Sequence, residues 1–176
     1  MGTTTEVRPE RKPWRLSTNG RRVVLVSHIA SAGAWLGIDV AMAVLIGAAK
    51  FTDDLQVRAS SLRVLEMVTV WPLLVCGLLC LGSGVLLGLG SKWGLVKHWW
   101  VLTKLVLNLL LTTLVVVSLQ FEVAEQARRA SLILDGQLVP LDLSNLIYPP
   151  VVSPAALLFA TILSVVKPWG RVRKTR

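Results

Sequence analysis

Four long stretches of the chain carry almost no charge. Between Val23 and Ala49 only His28 and Asp39 can ionise, and between Trp99 and Gln120 only Lys104; no acidic or basic residue falls between Met67 and Gly90 or between Leu146 and Val166. A bilayer core of about 30 Å needs roughly 20 apolar residues in helix, and each stretch is long enough. A helix of a soluble protein would alternate apolar and polar faces instead. The pattern predicts an all-α polytopic membrane protein, a four-transmembrane-helix bundle with spans of about 23–49, 64–89, 98–120 and 148–166. Pro149, Pro150 and Pro154 crowd the start of the fourth span. Proline suits a first helical turn, so regular helix is expected there from about Ser153, with Pro168 as its stop.

The remaining segments are polar and follow from these spans. Residues 1–21 form a basic tail, an exterior loop runs to Arg63, and Gly90 to Gly94 makes a tight turn. An exterior segment covers 121–147 and a second basic tail covers 168–176. The amphipathic run from Glu122 to Ala130 continues the third helix beyond the bilayer, and Asp135-Gly136, flanked by apolar residues, signals a hairpin. A secretory signal is not expected, because the apolar stretch after the first basic residues is too long. Glu6 stands where a myristoylation motif prefers Ser or Thr.

Charge decides the orientation. Of the nineteen basic residues behind the net charge of +9, thirteen belong to the two tails and the short middle turn. Five belong to the other two connections, diluted there by seven acidic residues. This is the positive-inside pattern, and it predicts a multi-pass protein of the cell membrane with both termini cytoplasmic. Trp14, Trp93, Trp99, Trp100 and Trp169 fall at the same inferred interface, where indole rings prefer to sit. The basic tails are expected to touch anionic headgroups. No aromatic interleaving or known motif accompanies them, so a nucleic-acid role is not expected.

Ionisable groups at membrane depth are costly and mark candidate sites. His28, Trp35 and Asp39 share one face of the first span, at offsets of seven and eleven residues. Lys104, Asn108 and Thr112 share a face of the third. His28 and Lys104 are of similar depth, so converging faces would make a polar pocket near the cytoplasmic mouth. The competing readings are a lysine that snorkels to the headgroups and a histidine satisfied by Ser27, Ser31 or a carbonyl. Asp39 lies toward the exterior half, with Glu66 opening the second span on that side and no basic partner in view. Cys76 and Cys80, four apart on one helix face, form a weak candidate metal pair beside the ordinary reading of apolar packing. A bis-histidine haem through His28 and His98 has marginal geometry, which leaves haem b through His28 and another axial group. The small-residue pairs Gly84/Gly88 and Gly33/Gly37 allow close helix approach, within the bundle or between copies. No hydrolase triad, phosphate-binding loop or HExxH is present in the sequence, so hydrolase or ATPase chemistry has little support.

Three stretches resemble an uncharacterised family of four-span bacterial membrane proteins, a domain of unknown function. They are Gly88 to Leu105 with its Lys97-His98-Trp99-Trp100-Val101-Leu102-Thr103-Lys104-Leu105 core, Leu163 to Arg171, and His28 to Gly37. That resemblance spans about Val23 to Arg173 and implies the fold but no activity. His28…Trp35-x-Gly37 and Trp100-x-x-x-Lys104-Leu105 are distantly similar to the short membrane-type protoporphyrinogen oxidase and the copper-resistance D domain. The first of these implies a haem role for His28 and Lys104.

The expectation is therefore a non-enzymatic integral membrane protein of the binding or accessory class, with a pocket lined by His28, Trp35, Lys104 and Asn108. A membrane partner or a homo-oligomer would fit. The alternatives are a haem- or porphyrin-binding redox protein using His28 and Lys104, and a proton or cation translocator using Asp39 and Glu66.

Overall fold

The computed structural model describes residues 16–91, 94–168, 170 and 172. Most of the basic tails, Lys92 and the interfacial Trp14, Trp93 and Trp169 lie outside the described residues. Five α-helices follow in order: α1 (Thr18–Phe51), α2 (Leu55–Leu89), α3 (Trp99–Leu114), α4 (Gln120–Leu134) and α5 (Pro149–Val166). A π-turn, Val115–Leu119, joins α3 to α4 without a break, so the third column runs from Trp99 to Leu134. No β-strand occurs among the described residues. The four columns are long and apolar enough to cross a membrane.

Each column packs on its chain neighbours, and α5 closes the ring against α1. The connections alternate ends. One end of the bundle holds the two termini and the α2–α3 turn; here Val172 N–H donates to the Lys97 carbonyl at 2.9 Å. The other, called the loop end below, holds the α1–α2 turn and residues 135–148. The outer surface is apolar: Trp71 is 74% exposed and Val165 76%. Water would not tolerate so much bare hydrocarbon on a folded monomer, and lipid tails would.

The first connection is much shorter than the exterior loop expected to run to Arg63. It is Thr52 to Asp54 alone. Asp54 Oδ1 caps α2 by accepting from Gln56 N–H at 2.7 Å, and Arg58 Nη2 donates to the Thr52 carbonyl at 2.7 Å. The polar residues that suggested a loop fit inside the helix, where the Ser61 hydroxyl donates to the Val57 carbonyl at 2.8 Å. The 34 residues of α1 measure about 50 Å at ~1.5 Å per residue, well over a ~30 Å core, so both helices extend past the hydrocarbon.

The hairpin expected at Asp135-Gly136 is instead a helix stop. Gly136 has φ +84°, its N–H donates to the Ile133 carbonyl, and Gln137 N–H donates to the Leu132 carbonyl at 2.9 Å. Those two bonds are a Schellman motif, whose left-handed position suits glycine. The apolar residues on either side, which imitate a strand pair, do different work. Ile133 is buried in the helix, and Val139, Leu141 and Leu143 lie along an extended segment against the core. That segment caps the loop end. Arg129 Nη1 donates to the Pro140 carbonyl, Asp142 N–H donates to Gln126 Oε1, and Asn145 Nδ2 donates to Glu122 Oε1. A single 3-10 turn, Asn145–Ile147, buries Leu146 and leads into α5. That helix starts at Pro149, earlier than the Ser153 expected, with prolines in its first two positions.

Candidate functional site

The inner faces of the four columns carry polar side chains at two levels. Near the termini end, His28 Nδ1 lies 3.0 Å from the Cys80 carbonyl and 3.0 Å from Ser83 Oγ. The Ser83 proton goes to the Leu79 carbonyl at 2.6 Å, which suits an Nδ1–H that donates toward α2. Cys80 Sγ is 3.7 Å from the same nitrogen. Gly84 makes room for the ring: a Cβ there would sit 3.2 Å from His28 Cε1. Lys104 Nζ donates to Ser164 Oγ at 2.8 Å and lies 4.8 Å from the centre of the Trp100 ring. So the histidine is met by a carbonyl and a serine of α2, not by Ser27 or Ser31, and the lysine is held between α5 and an indole.

The second level lies toward the loop end. Trp35 Nε1 donates to Ser153 Oγ at 3.0 Å, and Ser153 Oγ donates to Asp39 Oδ2 at 2.7 Å. An indole nitrogen can only donate, so Ser153 Oγ accepts from Trp35 and keeps its own proton to donate to Asp39 Oδ2. Trp35 and Asp39 are each 1% exposed. Asp39 Oδ1 is buried and has no partner. Gly77 of α2 is required beside the indole, because a Cβ there would come within 2.8 Å of the Trp35 ring and 2.7 Å of Thr112 Oγ1.

One helix spacing explains the separation. His28 and Asp39 are eleven residues apart on α1, and Ser153 and Ser164 are eleven apart on α5. Eleven residues return to the same helix face and rise about 16 Å. The two helices run in opposite directions, so Asp39 meets Ser153 at one depth and Lys104 meets Ser164 at another. The residues expected to share one pocket are therefore distributed over two levels. Asn108 and Thr112 of α3 lie between them, and Asn108 Oδ1 and Thr112 Oγ1 are also buried without partners.

A cavity of about 440 Å³ opens at the Asp39 level. Trp35, Asp39 and Ser153 line its floor, and Glu122, Asn145 and Tyr148 its loop-end rim. Val115, Ser118 and Leu119 of the π-turn form one wall. There the Gln120 N–H reaches back to the Val115 carbonyl, five residues away. Such bulges recur at functional sites. The pocket expected from the sequence lies toward the opposite end, and neither His28 nor Lys104 lines this cavity.

The other expected residues are dispersed. Glu66 pairs with Arg63 of its own helix at 3.7 Å, both half-exposed, and does not line the Asp39 cavity. Cys76 packs at the edge of the apolar core and Cys80 beside His28. Among the described residues no group of three or more His, Cys, Asp or Glu side chains is arranged for a metal ion. Gly84 and Gly88 pack within the bundle, against His28 and Leu95, whereas Gly33 and Gly37 of α1 face open space. Ser153 and Ser164 were legible in principle as hydroxyls one helix face apart in an otherwise apolar span. Glu122, Asn145 and Tyr148 become site residues only when α4 and the cap fold over the loop end.

The architecture is that of a polytopic four-helix membrane bundle with a cavity reaching inward from one end. Its sequence matches the family described as "Predicted integral membrane protein (DUF2269)" over residues 22–168, and the chain belongs to that family. No curated protein and no solved structure matches it.

Proposed function

We propose that this integral membrane protein is a non-enzymatic receptor or accessory subunit that holds a small amphipathic molecule in the Asp39 cavity. It resides in the cell membrane with both termini cytoplasmic, so that the cavity opens toward the exterior. The orientation is supported by the basic excess of the tails. The observation that carries the binding reading is the cavity itself: about 440 Å³, mainly apolar walls, and a buried carboxylate oxygen without a partner. Small-molecule sites have this character, with volumes of about 300–1,000 Å³ and a few convergent polar groups. A buried polar group lacking a partner inside the protein calls for one from outside it.

Mass spectrometry of the solvent extract from purified protein tests this reading. A small molecule is expected in extracts of the native protein and not of Ser118→Trp, whose indole would fill the cavity from the π-turn wall. Identical extracts from both would overturn it.

The haem reading gains nothing from the cavity, since His28 and Lys104 lie elsewhere. A Soret band lost on His28→Ala would restore it. The translocation reading keeps Asp39 as its inner carboxylate, while Glu66 pairs with Arg63 at 3.7 Å on the half-exposed face of α2. Ion flux in liposomes that Asp39→Asn abolishes would support it, and equal flux in both would sink it.

A further inference from the structure

We infer that the ligand of this cavity is an organic cation, an ammonium group on a hydrocarbon body, with its charge against Asp39 and its body along the apolar walls. This inference rests on the binding reading above and names the chemistry of what is bound.

The floor of the cavity presents an acceptor. Trp35 donates to Ser153 and Ser153 donates to Asp39 Oδ2, so the internal hydrogen bonds of the floor present Asp39 as an acceptor. Its Oδ1 is buried with nothing to accept from. A carboxylate at membrane depth that receives only one neutral hydroxyl still needs a donor, and a cationic donor best offsets the desolvation. The fold does not supply that cation at this level. Lys104 is engaged with Ser164 and Trp100 about 16 Å away along the bundle axis.

The lining is acidic. Its carboxylates are Asp39 on the floor and Glu122 at the rim, and among the described residues no Lys, Arg or His lines it. Asn145 Nδ2 donates to Glu122 Oε1 at 3.2 Å, which fixes the rim carboxylate near the mouth. The entry therefore attracts cations and repels anions. The Trp35 and Tyr148 rings that line the same space add faces to which an ammonium is drawn.

The ligand set favours an organic cation over a metal ion. Calcium takes about six to eight oxygen ligands, and magnesium demands a near-octahedral set. Asp39 and Ser153 stand together on the floor, and Glu122 and Asn145 are engaged with each other at the rim. Among the described residues no three His, Cys, Asp or Glu side chains converge as a metal would require; an amine on a hydrocarbon body suits this lining better.

Paired titrations of the full chain in neutral phosphatidylcholine nanodiscs, with empty nanodiscs as reference, test the inference. The probes are n-octylammonium and n-octanol, equal in length and different in charge. Octylammonium should bind the native protein at least tenfold more tightly than octanol, and Asp39→Asn should remove that preference while octanol binding persists. Glu122→Gln, at the half-exposed rim and remote from the core, should weaken octylammonium by a smaller factor; it serves if Asp39→Asn does not fold. Equal binding of the two probes to native protein would overturn the organic-cation inference and leave the cavity reading intact. Absence of binding by both would overturn the two together.

Discussion

The two polar levels of the bundle arise from the same kind of sequence signal and end in different states. His28 and Lys104 stand near the termini end and Asp39 nearer the loop end; His28 and Asp39 are the two ionisable residues of one apolar run, and Lys104 is that of another. At the first level the ring nitrogen of His28 meets a carbonyl and a serine of α2, while Lys104 meets Ser164 and the face of Trp100. At the second level one carboxylate oxygen is served and the other is not, and a cavity stands beside it. An ionisable residue inside a membrane is thus only a candidate; what decides between structure and binding is whether its hydrogen bonds close within the protein.

The strongest way to break this contrast is to remove its hinge. Trp35 is 1% exposed, donates to Ser153 and fills the space that Gly77 leaves. Trp35→Ala should cost about 3–5 kcal/mol, the usual range for truncating a buried aromatic. Trp99→Ala, at an indole 49% exposed on the outer surface, should stay within about 0.5 kcal/mol. Reversible denaturation by sodium dodecyl sulfate in mixed micelles, followed by circular dichroism, measures both. Comparable losses would mean that the Asp39 level is no better packed than the lipid-facing surface.

The same contrast limits what the sequence made legible. The four columns follow from apolar runs that nothing but a membrane accommodates, and the family match covers nearly the same residues as the spans. The inward face of α1 follows from the eleven-residue spacing of His28 and Asp39. The cavity does not. It depends on the depth at which antiparallel α5 brings Ser153 to Asp39, and an apolar run leaves the vertical offset of two helices undetermined. It also depends on the π-turn, which has no proline or glycine to mark it in Val115–Leu119. The loop-end cap differs from the expected hairpin for a local reason: Asp135-Gly136 supplies the left-handed backbone that either a hairpin or a helix stop requires, and only the long-range burial of Ile133, Val139 and Leu141 selects the second.

A smaller effect sharpens the comparison between levels. Ser153→Ala deprives Asp39 of its donor and Trp35 Nε1 of its acceptor, both buried. The loss should be about 1–3 kcal/mol, the range for leaving buried polar groups unpaired. Ser164→Ala leaves the Lys104 ammonium over the Trp100 ring in a half-buried position and should cost clearly less. The same denaturation assay ranks the two. A reversed order would move the more demanding polar site to the termini end and weaken the case for Asp39.

The smallest effect belongs to the exposed charge pairs of α4 near the loop end. Hydrogen bonds from Arg128 first and Arg129 second hold the Glu125 carboxyl at about 2, below its ordinary 4.5. The contacts are Arg128 Nη2 to Oε1 at 2.9 Å and Arg129 Nε to Oε1 at 2.7 Å. A depressed folded value means that this pairing contributes fully above about pH 4.5 and is lost as the pH falls through about 2. Water screens these ion pairs, so their effect on global stability is slight and the titration itself is the sensitive readout. Carbon-13 NMR of the Glu125 carboxyl should show a midpoint near 2, and Arg128→Ala should move it upward toward the ordinary 4.5. A native midpoint already near 4.5 would mean that the arginines sample solvent freely. Arg129 also donates to the Pro140 carbonyl, so that outcome would loosen the segment from Pro140 to Asn145 that sets the rim of the cavity.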